Sequence, residues 1–180
     1  MAAADSRGFI KETCDVIRRE RSDADNDLTR GTVGAARFEL WVRNKLLPTL
    51  GNYVANEKRS IVILDNATIH HSATIKKLIE STGAKVIYTA PFSPDLNPIE
   101  YFFSSYKKSL RRNHRMNWLD AHMIAIDSVS PKDAVNFFIH CNVPFAKQCL
   151  KNETNEIIIL CVILLVNIII FMTAIILNEI

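Results

Sequence analysis

The chain has 180 residues, 48% of them hydrophobic and 23% charged, which suits one domain with a real core and excludes a wholly disordered polymer. Cys14, Cys141, Cys149 and Cys161 are far apart, form no CxxC pair and share no metal spacing with histidines, which excludes a disulfide scaffold and a zinc finger. The net charge of +3 is unevenly spread: residues 151–180 carry one Lys and three Glu, leaving +5 for residues 1–150.

The opening MAAADSRGF lacks the apolar core of a secretory signal. Residues 1–30 read as a poorly ordered charged segment. The stretch RRERSDADNDLTR at 18–30 holds eight charges and a single aliphatic residue, Leu28, and builds no core. Order is expected from Gly34 onward. Phe38, Trp41, Val42, Leu46 and Leu47 recur at helical spacing, and Pro48 with Gly51 supplies the stop. The run SIVIL at 60–64 is short, apolar and β-branched, the pattern of a strand buried on both faces. Ser72 is placed to cap a helix that turns Ile75, Leu78 and Ile79 inward and stops at Gly83. KVIYT at 85–89 reads as a second strand, so the segment predicts a βαβ unit with adjacent parallel strands. Three prolines stiffen the loop 90–98. Asn97 is then a natural cap, Pro98 the first helical residue and Glu100 the third, in a helix reaching about Arg112. Two further helices are expected around 118–127 and 132–140.

Two acids stand out by position. Asp65 follows the buried strand at its C-terminal end, where open α/β sheets place their ligands. Glu100 lies in the first turn of a helix whose N-terminus the βαβ geometry can bring alongside. Converging carboxylates make an oxygen site for a divalent ion. Each has a plainer reading: Asp65 with Asn66 opens a turn, and Glu100 completes a capping box with Asn97. Five cations follow Glu100, namely Lys107, Lys108, Arg111, Arg112 and Arg115. Lys107 and Arg111 fall on roughly the helical face of Glu100, which would suit a phosphate backbone. A solvated helix with cations complementing its C-terminal dipole gives the same pattern. His70 and His71 stand at a helix entry, where histidines contact a ligand less often than they fill a structural role.

The strings IVILDNATIHHS at 61–72 and APFSPDLNPIE at 90–100 closely resemble the Tc/mariner-like transposases and their bacterial insertion-sequence relatives. In that family one catalytic Asp ends a strand in a DNA…H motif, and another acid closes an SPDLNPIE motif thirty-four residues further on. Here the intervening residues are 66–99, thirty-four of them. GTV at 31–33, FELW at 38–41 and DAVNFFIH at 133–140 also look like family segments, so the resemblance covers roughly 31–145. It implies an incomplete ribonuclease H-like α/β domain over 31–148, with a central sheet flanked by helices. It implies Asp65 and Glu100 as catalytic and metal-binding carboxylates, Mg²⁺ or Mn²⁺ as cofactor, and DNA (transposon ends) as partner. The activity implied is DNA strand cleavage and transfer, and the localisation nuclear.

The family's first carboxylate lies on the opening strand of a three-strand meander, which at ordinary lengths takes about twenty-four residues. Asp5, Asp15, Asp23, Asp25 and Asp27 precede residue 34, and none lies in a segment that reads as a buried strand. The family's DNA-reading helix-turn-helix domain has no counterpart either. The expectation is therefore the C-terminal part of a transposase catalytic domain, catalytically impaired, with a non-catalytic nucleic-acid-binding remnant or an inert tail-anchored relic as alternatives.

The last segment, 155–180, is of another kind. From 157 to 177 no residue is charged, and twenty-one residues in a helix span about 31 Å, the depth of a bilayer core. A C-terminal hydrophobic, transmembrane helix is expected, with Lys147 and Lys151 holding its start on the cytosolic side. Ten isoleucines within 157–180 also suit translated AT-rich non-coding sequence. The oligomeric state has no signature in the chain.

Overall fold

Four consecutive apolar residues at 61–64 can be buried only if both faces of their strand are covered. A computed structural model of the chain describes residues 1–16, 33–70, 72–91 and 93–143, together with the backbone of Ile159–Ile163. In chain order the elements are β1 (Ala2–Asp5), β2 (Gly8–Phe9), α1 (Ala35–Trp41), β3 (Ile61–Leu64), α2 (Ala73–Glu80), β4 (Lys85–Tyr88), α3 (Ile99–Arg112), α4 (Trp118–Ile126), α5 (Pro131–His140) and β5 (Ile159–Ile163). The strands form one mixed sheet in the order β2-β1-β5-β3-β4.

All four residues of β3 are buried, and they alternate between two cores as the pleat requires. Val62 and Leu64 join α1 and α2, through Phe38, Trp41, Val42, Ile75 and Ile79. Ile63 joins α3 and α5, through Ile99, Phe102, Phe103, Ala134 and Phe138. The result is a mixed α/β domain with helices on both faces of its sheet. The expected βαβ unit is present: β3 and β4 are parallel neighbours, with Ile61 opposite Lys85 and Leu64 opposite Tyr88. Helix α2 buries Ile75 and Ile79 and ends before Gly83, whose φ of +87° needs glycine. Beyond α1 the helix widens to π geometry over Val42–Leu46 and tightens to a 3₁₀ turn over Leu47–Thr49. Pro48 accounts for this, because its ring would clash with the carbonyl four residues back in a regular α-helix.

Two expectations are corrected. Residues 1–16 hold an ordered hairpin: β1 is buried along its whole length, with Ala3 facing one core and Ala2 and Ala4 the other. Alanine is a weak strand former and the run is four residues long, so no periodic signal announced it. Residues 17–32, which include the whole charged run with Asp23, Asp25 and Asp27, lie outside the described residues. The second correction concerns part of the apolar segment expected as a helix over 157–177, of which 157–158 and 164–177 lie outside the described residues. Where it is described, Ile159–Ile163, it is a strand, parallel to β3 and antiparallel to β1. A short β-branched run satisfies either structure on periodicity alone, and the neighbours that decide the matter lie far away in sequence. No helix among the described residues is long and apolar enough to cross a membrane.

Helix α4 docks on α3 through a small cluster of Tyr106, Leu110, Ala121 and Ala125, and through a hydrogen bond between the Tyr106 hydroxyl and His122 Nδ1. Partial burial of the His122 ring lowers its pKa from the ordinary 6.5, so the fold favours the neutral imidazole. The stabilising contribution is therefore complete above about pH 6.5 and is lost as pH falls through the lower, folded value. Chemical denaturation at pH 5.5 and 7.5 is expected to find a smaller pH-dependent loss of stability in His122→Gln than in the parent chain. Truncating the fully buried Phe102 to Ala is expected to cost about 3–5 kcal/mol in the same measurement.

Candidate active site

The C-terminal ends of β3 and β4 and the start of α3 enclose one cleft of about 280 Å³, lined by Asp65, Asn66, Thr89, Ser93, Asn97 and Glu100 among others. Its floor is stitched together by backbone. Thr89 N–H donates to Leu64 O at 2.9 Å, and the Asn66 side-chain amide donates to Thr89 O at 3.0 Å, locking the two strand ends side by side. Asp65 is the residue immediately after β3, and its Oδ1 accepts the Ala67 N–H at 3.0 Å, which closes an Asx turn. The same oxygen accepts a hydrogen bond from His70 Nδ1. The turn and the catalytic reading of Asp65 thus coexist in one geometry. His71 lies outside the described residues.

Glu100 reaches the cleft from the first turn of α3. A 3₁₀ turn over Pro94–Leu96 leads into it, and Glu100 N–H bonds Asn97 O at 3.2 Å. The carboxyl is open to solvent on one side and walled by the cleft on the other. This partial burial raises its pKa; the Lys107 ammonium works against the rise and the Asp65 carboxylate adds to it. The two acids therefore share a field as well as a cavity. The expected capping box is absent, because α3 starts at Ile99 after Pro98 and the Asn97 side chain makes no cap bond. Asn97 is instead almost fully buried, and both its amide atoms are without a hydrogen-bond partner among the described residues. Reading the position as a cap hid this, since side-chain burial leaves no mark on local spacing.

The basic residues fall on and just beyond the outer face of α3. Lys108, Arg111, Arg112 and Arg115 are exposed and Lys107 is half-buried. None of the five has an ion-pair partner among the described residues. Lys107 is the one nearest the acids in effect, since its charge reaches Glu100.

The other acids of the N-terminal region do not complete the pair. Asp5, expected to lie outside any buried strand, is the buried last residue of β1. Arg59 Nε bonds its carboxylate at 3.1 Å, Arg7 approaches it at 3.7 Å, and the Arg7 N–H donates to it at 2.8 Å. The strand register pairs Ala4 with Cys161 and Cys161 with Ile63, so Asp5 is level with Val62. It sits three residues, or about 10 Å, short of Asp65 along the strands, with β5 between. Asp15, whose N–H bonds Met1 O at 2.7 Å, lies toward the Asp65 edge but across β5. No group of three or more His, Cys, Asp or Glu side chains among the described residues could hold a metal ion.

A sequence profile of the DDE superfamily endonuclease matches residues 17–121, more than half of the chain and a span that includes both Asp65 and Glu100. The chain belongs to that family. No curated protein and no solved structure matches it.

The raised pKa of Glu100 carries a sign. A carboxyl whose folded value exceeds its unfolded one near 4.5 contributes stability at low pH that is lost as pH rises through the folded value. In metal-free protein, Glu100→Gln is therefore expected to be at least as stable as the parent at pH 7 and to lose that advantage below about pH 4.5. Thermal denaturation across pH 4–7.5 measures both limbs.

Proposed function

We propose that the chain is a transposase-derived domain of the Tc/mariner type, with a ribonuclease H-like sheet, whose ancestral reaction is metal-dependent cleavage and transfer of DNA strands. The observation that carries this reading is the convergence of Asp65 and Glu100 on one cleft, at the motif interval of that family, with a basic helix leading away from it. Two carboxylates suit a hard ion such as Mg²⁺ or Mn²⁺, which takes one or two protein oxygens and fills its remaining positions with water and substrate phosphate. Such an ion, when bound, polarises a phosphoryl oxygen and lowers the pKa of bound water. Asp65 and Glu100 would hold it. Lys107, close enough to bias Glu100, would draw a phosphate toward the acids, and Lys108, Arg111, Arg112 and Arg115 would hold the strand beyond.

The same donor set supports catalytic impairment. A site for two ions needs a further carboxylate to neutralise and hold the second, and Asp5 is spent on Arg59. This favours, as a second reading, a remnant that binds nucleic acid without cutting it.

Both readings meet in one pair of assays. Supercoiled DNA incubated with the chain and Mg²⁺ or Mn²⁺ is expected to stay uncut; nicking that vanishes in Asp65→Ala would overturn the claim of impairment. DNA binding is expected to weaken with salt, with a log–log slope of about −4.5 on duplex DNA if all five cations each meet a phosphate. Replacing Arg111 and Arg112 by Ala is expected to make that slope shallower by about 2. Binding that is absent or insensitive to salt would remove the nucleic-acid role.

A further inference from the structure

We infer that His70 is a positioning residue for Asp65, holding its carboxylate in one rotamer from behind the cleft. The inference deepens the proposed function, on which the value of a fixed Asp65 depends. His70 is fully buried, and its Nδ1–H donates to Asp65 Oδ1. Facing a carboxylate oxygen, Nδ1 has to carry the proton, so the ring acts as a donor and never as a ligand from that side. The ring has little freedom to turn. Its centroid lies 4.7 Å from that of Phe38, whose helix packs under the sheet. Its backbone is held at both ends, by the His70 N–H on Ala67 O at 2.8 Å and by the Tyr88 hydroxyl on His70 O at 3.1 Å.

The other ring nitrogen identifies the purpose. Nε2 is buried and has no hydrogen-bond partner among the described residues, although Phe, of similar size, would fill this space with no polar atom to leave unsatisfied. A histidine serving only as packing is thus the costlier choice, and what it adds over phenylalanine is the bond to Asp65. An aspartate at a strand end has three staggered χ1 wells. The Ala67 N–H restrains it from the turn, and a second donor on a rigid ring selects the single well in which Oδ1 meets both. The arrangement parallels the outer-shell partners that orient metal-binding side chains, here with the ring orienting the acid.

The test uses the full chain, isotope-labelled and metal-free, and reads the three-bond couplings from Asp65 Cγ to its backbone nitrogen and carbonyl carbon, which report χ1. A single well is expected in the parent and in His70→Asn, whose amide can replace Nδ1–H. Averaged couplings are expected in His70→Phe and in His70→Gln, whose amide reaches toward the Nε2 position instead. Parent-like couplings in either of these two variants, or averaging in the parent itself, would overturn the inference; the Gln variant decides should the Phe variant fail to fold. A Mn²⁺ titration forms the second arm, with affinity expected to fall about 10–100-fold in His70→Phe or, should that variant fail to fold, in His70→Gln, and to recover in His70→Asn. Equal affinity in the parent and the tested variant would also overturn positioning. Absence of Mn²⁺ binding by the parent would overturn the metal reading of the cleft while the couplings still decide the role of His70.

Discussion

Strand β3 is enclosed on four sides, and the site depends on that enclosure. Parallel neighbours β4 and β5 flank its edges, and α1 with α2 and α3 with α5 cover its faces. A strand so confined cannot slip by one residue without turning Val62 and Leu64 out of one core and Ile63 out of the other. Asp65 is the next residue along, so its position is set by burial of four side chains that carry no chemistry. Glu100 is placed by the same means from another direction. Ile99 and Phe102, which flank it on α3, are both fully buried in the core on the opposite face of the sheet. The two acids meet because two hydrophobic registers are fixed independently and agree.

Between these anchors the cleft keeps a polar interior that folding alone does not require. Asn97 is buried with both amide atoms unpartnered among the described residues, and His70 keeps a bare nitrogen beneath Asp65. Each such group costs about 1–3 kcal/mol against a satisfied one. Among the described residues these are the buried side-chain polar atoms left without a partner, whereas the buried Asp5 and Thr13 are bonded. Their concentration within a few residues of the two acids fits a region shaped for something other than stability.

The parts of the fold legible in the sequence are those whose signal is local. The β-branched run of β3, the helical spacing of Ile75 and Ile79, and the proline-rich entry to α3 each lie within a dozen residues. The first two stand where their patterns put them, and α3 starts one residue later than its pattern, at Ile99. The strands that completed the sheet were illegible for a physical reason. β1 is mostly alanine, which carries no periodicity, and β5 owes its form to partners such as Ile63, opposite Cys161, that only the folded chain brings near. The site divided in the same way. Asp65 and Glu100 were visible as motif residues, whereas the Asp65–His70 bond, the salt-bridged burial of Asp5 and the orphaned amide of Asn97 are products of tertiary packing.

Helix α3 is also a ruler. Glu100 lies in its first turn and Arg111 in its last, eleven residues on, which at 1.5 Å per residue separates them by about 16 Å. Phosphates on one strand of a duplex advance about 3.4 Å each along the axis, so a duplex laid parallel to the helix would be gripped about five base pairs from the acids, half a turn away. The register is rotational as well as linear, because each residue of the helix turns the next by about 100°. A single inserted residue between Phe103 and Tyr106 would swing every cation through that angle relative to Glu100, while the buried Phe102 and Phe103 would be pulled out of phase with the buried Leu110. Length changes in the family should therefore collect in the loops on either side of this helix and avoid its first three turns.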